Sequence, residues 1–168
     1  VDQSCHIQTA RLFSRTSVSC FLLCESNGKA VYLLYRKEQL KEYLATGPVR
    51  ELMERFGYEG MELGEILSLV GTRYREHMEG CKTFPHEIGL LLGYPAEDVK
   101  GFIENQGRRS LYSGYWKVYS NLEECQRIFA SYDHAREKVI HLMAKGMTVR
   151  TIMEMHHLYG YCPAAGAF

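Results

Sequence analysis

The sequence lacks several features that would assign it to a class at first sight. No apolar run approaches the roughly 20 residues that a membrane-spanning helix needs. Neither sign of charge is in excess, since 20 Lys and Arg residues balance 20 Asp and Glu residues. Without an overall positive field, nothing attracts the chain to nucleic acid or to an anionic membrane. We therefore expect a partner that is neither a membrane nor a nucleic acid.

A repeated cysteine spacing is also missing. The six cysteines are scattered and contain no C-x-x-C pair, which disfavours a small secreted scaffold held by disulfides. The first residues, "VDQSCHIQTARLF", lack the pattern of a secretion signal, so we expect a cytoplasmic protein. Cys20 and Cys24 should lie with Leu22 on one face of a strand, as small buried apolar groups.

What is present suits one compact domain over residues 1–168, because 168 residues with 46% hydrophobic composition can bury a continuous core. The segments 18–25 and 30–36 are apolar and β-prone, and Asn27-Gly28 between them predicts a hairpin. Helical spacing then predicts five helices, over residues 37–46, 48–57, 60–80 and about 121–146, with the last beginning at about residue 148. The fourth of these is one long helix or two.

The stretch "FPHEIGLLLGYPAEDVKGFI", residues 84–103, predicts two short helices at a tight corner. Gly93 suits the left-handed cap that ends the first helix, and Pro95 opens the second. Phe102 belongs to the apolar stripe of the second helix, as a core anchor. Gly89 and Gly101 inside the helices suggest close approach of neighbouring elements.

Residues 115–119, "YWKVY", alternate in the manner of a strand, which should join the hairpin as its third strand. The predicted fold is therefore a single α+β domain with a small antiparallel sheet from residues 18–25, 30–36 and 115–119, covered on one face by helices. A mostly helical domain with only the hairpin as sheet is the alternative.

Four short motifs carry a family resemblance. They are "FPHEIG", "LLGYP", "EDVKGFIEN" and "GYWKVY", in this order within residues 84–119. The chain thus resembles the bacterial family of domain of unknown function 3793, and "ARLFS" at residues 10–14 resembles that family's amino-terminal segment. The resemblance implies an intracellular bacterial protein and assigns no activity, cofactor or catalytic residue.

His86 and Glu87 are the candidate catalytic residues. Adjacent helical residues point about 100° apart, so the two side chains do not form a facing acid–base pair. The structural interpretation is that both bond neighbouring backbone and cap the turn. The catalytic interpretation needs a cysteine within hydrogen-bond reach of His86 and a third group to orient the ring. Nucleophile-elbow and phosphate-cradling glycine motifs are absent, so the sequence identifies no cofactor.

A metal site would draw on His77, Cys81 and His86. His77 and Cys81 share a helical face only if the helix continues past Gly80, and no fourth ligand is identifiable. The expectation is that no metal is bound there. His156, His157 and Cys162 form a second loose cluster, which we interpret as solvated surface.

A basic loop beside an aromatic strand gives the candidate ligand- or partner-binding surface. Its residues are Arg108, Arg109, Tyr112, Tyr115, Trp116 and Tyr119. Aromatic side chains whose ring is buried while the polar group stays exposed to solvent are typical of such surfaces. We expect a non-catalytic intracellular binding or regulatory module whose partner is a small molecule or a protein. A small hydrolase or transferase that uses a cysteine with His86 is the alternative.

Overall fold

Two short hairpins and a set of helices form the computed structural model, which describes residues 11–14, 16–26 and 28–159, with side chains up to residue 155. The first hairpin pairs β1 (Ser19–Ser26) with β2 (Lys29–Tyr35) in antiparallel register, as predicted. Gly28 takes the left-handed conformation that this turn requires, at φ +73°. Asn27 lies outside the described residues.

A bulge in β1 changes which side chains this hairpin buries. The pairing register shifts between Leu22 and Cys24, so Leu23 and Cys24 are both buried while Leu22 is exposed. An extra residue in one strand breaks the strict alternation of faces. The predicted common buried face of Cys20, Leu22 and Cys24 is therefore wrong, although Cys24 itself is buried.

Three helices follow the hairpin: α1 (Lys37–Leu44), α2 (Gly47–Arg55) and α3 (Leu63–Met78). Helix α3 packs on β1 so closely that a Cβ at Gly71 would lie 3.3 Å from the Phe21 ring. Gly80, at φ +76°, ends α3 with a hydrogen bond from the Cys81 amide back to the Glu76 carbonyl at 2.8 Å. The predicted termination at Gly80 is confirmed.

The predicted corner is present between α4 (Ile88–Leu91) and α5 (Ala96–Glu104). Gly93 is left-handed at φ +79°, and the Tyr94 amide donates to the Gly89 carbonyl at 2.9 Å. These are the conformation and hydrogen bond of a Schellman cap. A Cβ at Gly101 would lie 2.5 Å from the Tyr119 Cβ, which confirms the predicted close approach.

The predicted third strand does not join the first hairpin. Strand β4 (Lys117–Val118) pairs instead with β3 (Tyr112–Ser113), in a separate two-stranded sheet. The chain reverses at Gly114 and Tyr115, and the Tyr119 and Ser120 amides donate to the Asp98 side chain at 2.7 and 2.9 Å. Those amides are thus unavailable to extend a strand. The fold remains α+β, with the sheet of the prediction divided in two.

The remaining helices are α6 (Leu122–Ala144), which is continuous, and α7 (Val149–Tyr159). Only the first part of α6 reaches the core, through Cys125 and Phe129, whereas Val139, Ile140 and Met143 are exposed. Within the described residues, no helix combines the length and apolarity needed to cross a bilayer.

The core consists of two buried clusters that one residue connects. The larger cluster lies among the first hairpin and α1–α5, and the smaller one comprises Trp116, Val118, Cys125 and Phe129. The Tyr94 side chain packs against both. Because Tyr94 follows the Gly93 cap directly, the two-helix corner is the point at which the second hairpin and α6 attach to the rest of the fold.

Candidate binding groove

A groove of about 530 Å³ opens between the two-helix corner and the second hairpin. This volume lies within the range of small-molecule sites in proteins. Aromatic rings from four separate segments line it: Phe84, His86, Tyr94, Phe102, Tyr115 and Trp116. We call this cavity the aromatic groove.

One wall is a row of rings that leads from Phe84 to Phe102. The half-buried His86 ring lies between them, with its centroid 5.9 Å from that of Phe84 and 5.5 Å from that of Phe102. Phe84 remains 40% exposed, whereas Phe102 is half-buried. Phe102 therefore belongs to the groove wall, and its predicted role as a core anchor is wrong.

The opposite wall is built on the only tryptophan of the chain. The Trp116 ring stacks on Tyr94 at 4.9 Å and meets Phe129 edge-on at 4.5 Å. Tyr115, which is 43% exposed, donates a hydrogen bond from its hydroxyl to Asp133 at 2.9 Å. This wall thus has a rigid buried base and an accessible rim.

Asp98 holds the Trp116 wall in place. Its carboxylate is 2% exposed, and Oδ2 accepts a hydrogen bond from the indole Nε1–H of Trp116 at 2.7 Å. Oδ1 accepts from the amides of Tyr119 and Ser120 and from the Ser120 hydroxyl at 3.1 Å. The Cys125 thiol is a further donor, at 3.5 Å from Oδ2. A buried carboxylate with these donors is stabilised by its own chain and positions the indole.

Sequence reasoning missed this role of Asp98. One available signal was the tryptophan itself, because a buried indole N–H usually has a hydrogen-bond partner. The partner lies 18 residues away in the chain, and spacing alone does not identify it.

Glu87 belongs to the interior of the protein. Its carboxylate is 3% exposed and accepts hydrogen bonds from the Tyr58 hydroxyl at 2.6 Å and from Arg73 at 2.8 Å. Burial, together with the hydrogen bond to Glu87, raises the pKa of Tyr58. Arg73 also lies 4.7 Å from the centre of the Tyr58 ring and donates to the Phe56 carbonyl at 3.0 Å. Glu87 thus ties α4 to α3.

The predicted capping role is wrong for both His86 and Glu87, because neither side chain bonds the backbone of the turn within the described residues. Glu87 occupies the N-cap position of α4, but its side chain makes no capping hydrogen bond. The reason is that the carboxylate is directed to Tyr58 and Arg73, where burial makes its hydrogen bonds stronger than at an exposed helix end.

The three candidate metal ligands are not brought together. The ring nitrogen Nδ1 of His77 lies 3.1 Å from the Lys82 carbonyl, and the Phe84 ring contacts both His77 and His86. Cys81 is exposed just past the end of α3. Among the described residues, no group of three or more His, Cys, Asp or Glu side chains has an arrangement that could hold a metal ion. The side chains of His156 and His157, and residue Cys162, lie outside the described part.

The predicted binding surface is divided among several places. Tyr115 and Trp116 line the aromatic groove beside His86, whereas Arg108 and Arg109 are exposed and do not line it. The Tyr112 ring lies 6.1 Å from Phe129. Tyr119 packs on Gly101, and its hydroxyl is buried without a hydrogen-bond partner in the described part of the chain. The groove therefore combines part of this surface with the separately predicted His86.

Cys125 and Cys20 have a pKa shift opposite to that of an activated nucleophile. Burial and the nearby Asp98 carboxylate raise the pKa of the Cys125 thiol to about 11, and burial raises the pKa of Cys20. Both shifts favour the neutral thiol, whereas a nucleophilic cysteine needs a lowered pKa. Cys24 is buried, and the Cys81 thiol lies 3.8 Å from the Glu79 carbonyl. Cys5 and Cys162 lie outside the described residues.

These observations define an α+β protein with an aromatic-lined groove at the junction of its two core clusters. The family model described as "Protein of unknown function (DUF3793)" matches residues 2–153, and the chain belongs to this family. The resemblance inferred from the sequence motifs is thereby confirmed. No curated protein and no solved structure matches the chain.

Proposed function

We propose that this protein is a non-catalytic binding module that takes a small aromatic molecule in the aromatic groove. The observation that carries the proposal is the convergence of six rings on a cavity of about 530 Å³. Two of them, Phe84 and Tyr115, are 40% and 43% exposed at its rim. Flat rings that line a cavity favour flat ligands, because offset and edge-on ring contacts add to the free energy of apolar burial.

The support beneath the rings favours recognition of one ligand shape. Trp116 is held by its hydrogen bond to Asp98 and by ring contacts with Tyr94 and Phe129. The Tyr43 hydroxyl donates to the Tyr94 carbonyl and connects this wall to α1. A wall that is already ordered loses little conformational entropy when a ligand binds.

Asp98, which lines the groove, and Glu87, the neighbour of His86, are both committed to structure, which supports binding over catalysis. Asp98 is surrounded by donors from its own chain, and Glu87 faces the interior. The hydrolase or transferase alternative would use His86 with a cysteine, and no cysteine of the described ranges bonds to His86.

The proposal includes a cytoplasmic location in a bacterial cell, one folded domain and no nucleic-acid partner.

The test uses N-phenyl-1-naphthylamine, a neutral aromatic probe that fluoresces when it leaves water. Trp116 is the only tryptophan, so energy transfer from Trp116 to the probe reports binding to the chain, and the Phe84→Ala variant tests whether the probe lies in the groove. We expect saturation at one probe per chain with quenching of Trp116. Phe84→Ala should raise the dissociation constant about fivefold, because one ring contact with the probe is lost.

The matched control is Leu111→Ala, which truncates a side chain that is 61% exposed and does not line the groove. This variant should bind the probe as the unmodified chain does. A chain that neither quenches nor saturates, or a Leu111→Ala effect equal to that of Phe84→Ala, would overturn the proposed groove.

A further inference from the structure

Two polar side chains of the aromatic groove can donate hydrogen bonds to a ligand. Lys117 lines the groove, and its Nζ lies 5.9 Å from the centre of the Phe102 ring. One of the three ammonium protons is donated to the Gly107 carbonyl, which leaves two for a ligand.

His86 provides a second polar group on the same ring. Its centroid is 5.5 Å from that of Phe102, and neither ring nitrogen makes a hydrogen bond to the described part of the chain. A neutral imidazole still donates from one nitrogen, so His86 can contribute a proton to an acceptor in the groove.

The acidic residue among the lining residues is not accessible to a ligand. Asp98 is the acidic lining residue, but it is 2% exposed and receives hydrogen bonds from Trp116, Tyr119 and Ser120. The accessible charge of the groove is therefore the single positive charge of Lys117.

We infer that the ligand is a small aromatic monoanion, such as a carboxylate or sulfonate on a ring system of two or three rings. This inference rests on the proposed function and names the ligand class of the same groove. The ring system lies between the Phe84–Phe102 wall and the Trp116 wall. The anionic group lies at the Phe102 end, because Lys117 Nζ lies 5.9 Å and the His86 ring centre 5.5 Å from the centre of the Phe102 ring. The contact of the Lys117 ammonium with the Phe102 ring and its charge-assisted hydrogen bond to the anionic group then both stabilise the complex.

The test compares two probes with the same ring system. 8-Anilinonaphthalene-1-sulfonate carries one negative charge, and N-phenyl-1-naphthylamine lacks the sulfonate. Lys117→Gln should weaken binding of the sulfonate probe about tenfold, the usual scale for one charge-assisted contact, and leave the neutral probe within about twofold. Lys117→Arg should restore binding of the sulfonate probe, because it keeps the charge. Added salt should weaken only the sulfonate probe.

Two further variants separate a local from a general effect. His86→Phe keeps an aromatic wall but removes the ring nitrogens, so it should weaken the sulfonate probe alone. Lys100→Gln removes an exposed charge on α5 that pairs with Glu104 at 3.8 Å and does not line the groove, so it should change neither probe.

The outcomes separate this inference from the function on which it rests. If neither probe binds the unmodified chain beside Trp116, the proposed function fails. If both probes bind and Lys117→Gln changes them equally or not at all, the groove is a binding site and the anionic ligand is wrong. A loss with Lys100→Gln as large as with Lys117→Gln would also overturn the inference, since the effect would then come from overall charge.

Discussion

Glu87 and His86 are neighbours in the chain, but their side chains serve different parts of the molecule. Glu87 is buried and hydrogen-bonded to Tyr58 and Arg73, whereas His86 lines the aromatic groove between Phe84 and Phe102. The chain therefore places a stabilising residue and a candidate ligand contact side by side, and substitutions should separate the two roles.

Substitution at Glu87 should act on stability. Glu87→Gln leaves Arg73 and the Tyr58 hydroxyl without their buried carboxylate, and we expect the free energy of unfolding to fall by about 2–3 kcal/mol. His86→Ala should cost less than about 2 kcal/mol, because it removes ring contacts with Phe84 and Phe102 and no hydrogen bond. Urea unfolding measures both. Equal losses in the two variants would contradict the division of roles, as would a larger loss for His86→Ala.

The Gly93 cap should tolerate no branched side chain. Gly93→Val forces a β-branched residue into the left-handed conformation at φ +79°, and it should destabilise the protein by at least about 1 kcal/mol. Gly64→Ala in α3 is the matched control, because its Cβ would meet nothing within 4 Å. That variant should be neutral or slightly stabilising, because alanine favours helix. Thermal unfolding compares them, and a Gly93→Val protein as stable as the original would contradict the cap.

Removal of the Asp98 charge should loosen the Trp116 wall. Asp98→Asn places an amide donor or a weaker acceptor among the donors of Trp116, Tyr119 and Ser120, and we expect a loss of about 3 kcal/mol or more. The Trp116 emission should shift to the red as the indole gains water. Glu97→Gln, one residue earlier and exposed, should change stability by less than about 0.5 kcal/mol. Unchanged stability and emission in Asp98→Asn would show that Asp98 does not position the indole.

Stability should decline in alkaline solution, in part through Cys125. The pKa of this thiol is about 11 in the folded chain, against an ordinary value of 9.0. Because the folded pKa is the higher one, the stabilisation is fully present below about pH 9 and is lost as the pH rises to about 11. Burial also raises the pKa of Tyr43 and of Tyr58, which adds to the decline.

The Cys125 share of this decline is measured with Cys125→Ala. Between pH 9 and 11 the unfolding free energy of Cys125→Ala should fall less steeply than that of the unmodified chain. The difference between the two slopes should be at most about 1.4 kcal/mol per pH unit, which corresponds to one proton. Identical slopes for the two proteins would contradict a raised pKa at Cys125.

Features that depend on neighbouring residues were predictable from the sequence. The hairpin turn at Gly28, the end of α3 at Gly80 and the corner at Gly93 each follow from a glycine that local geometry requires. His86, Tyr115 and Trp116, which are candidate site residues from their chemical type alone, line the aromatic groove.

Features that depend on distant pairing were not predictable. The segment 115–119 has the alternation of a strand, but its partner is decided by the turn at Gly114 and by the amides that bond to Asp98. Phe102 has the spacing of a core residue and lies in a groove wall, because the second hairpin approaches α5 without covering that ring. Helical spacing indicates which face is apolar, but it does not show what covers that face.

The most direct test of the aromatic groove is the indole resonance of Trp116 in a nitrogen–proton correlation spectrum, where a single tryptophan gives a single side-chain signal. On titration with 8-anilinonaphthalene-1-sulfonate we predict saturable shifts of this signal and of the amides of residues 113–117, at the concentrations that saturate probe fluorescence. An unmoved Trp116 signal, with shifts confined to the exposed apolar residues Val139, Ile140 and Met143 of α6, would contradict the account.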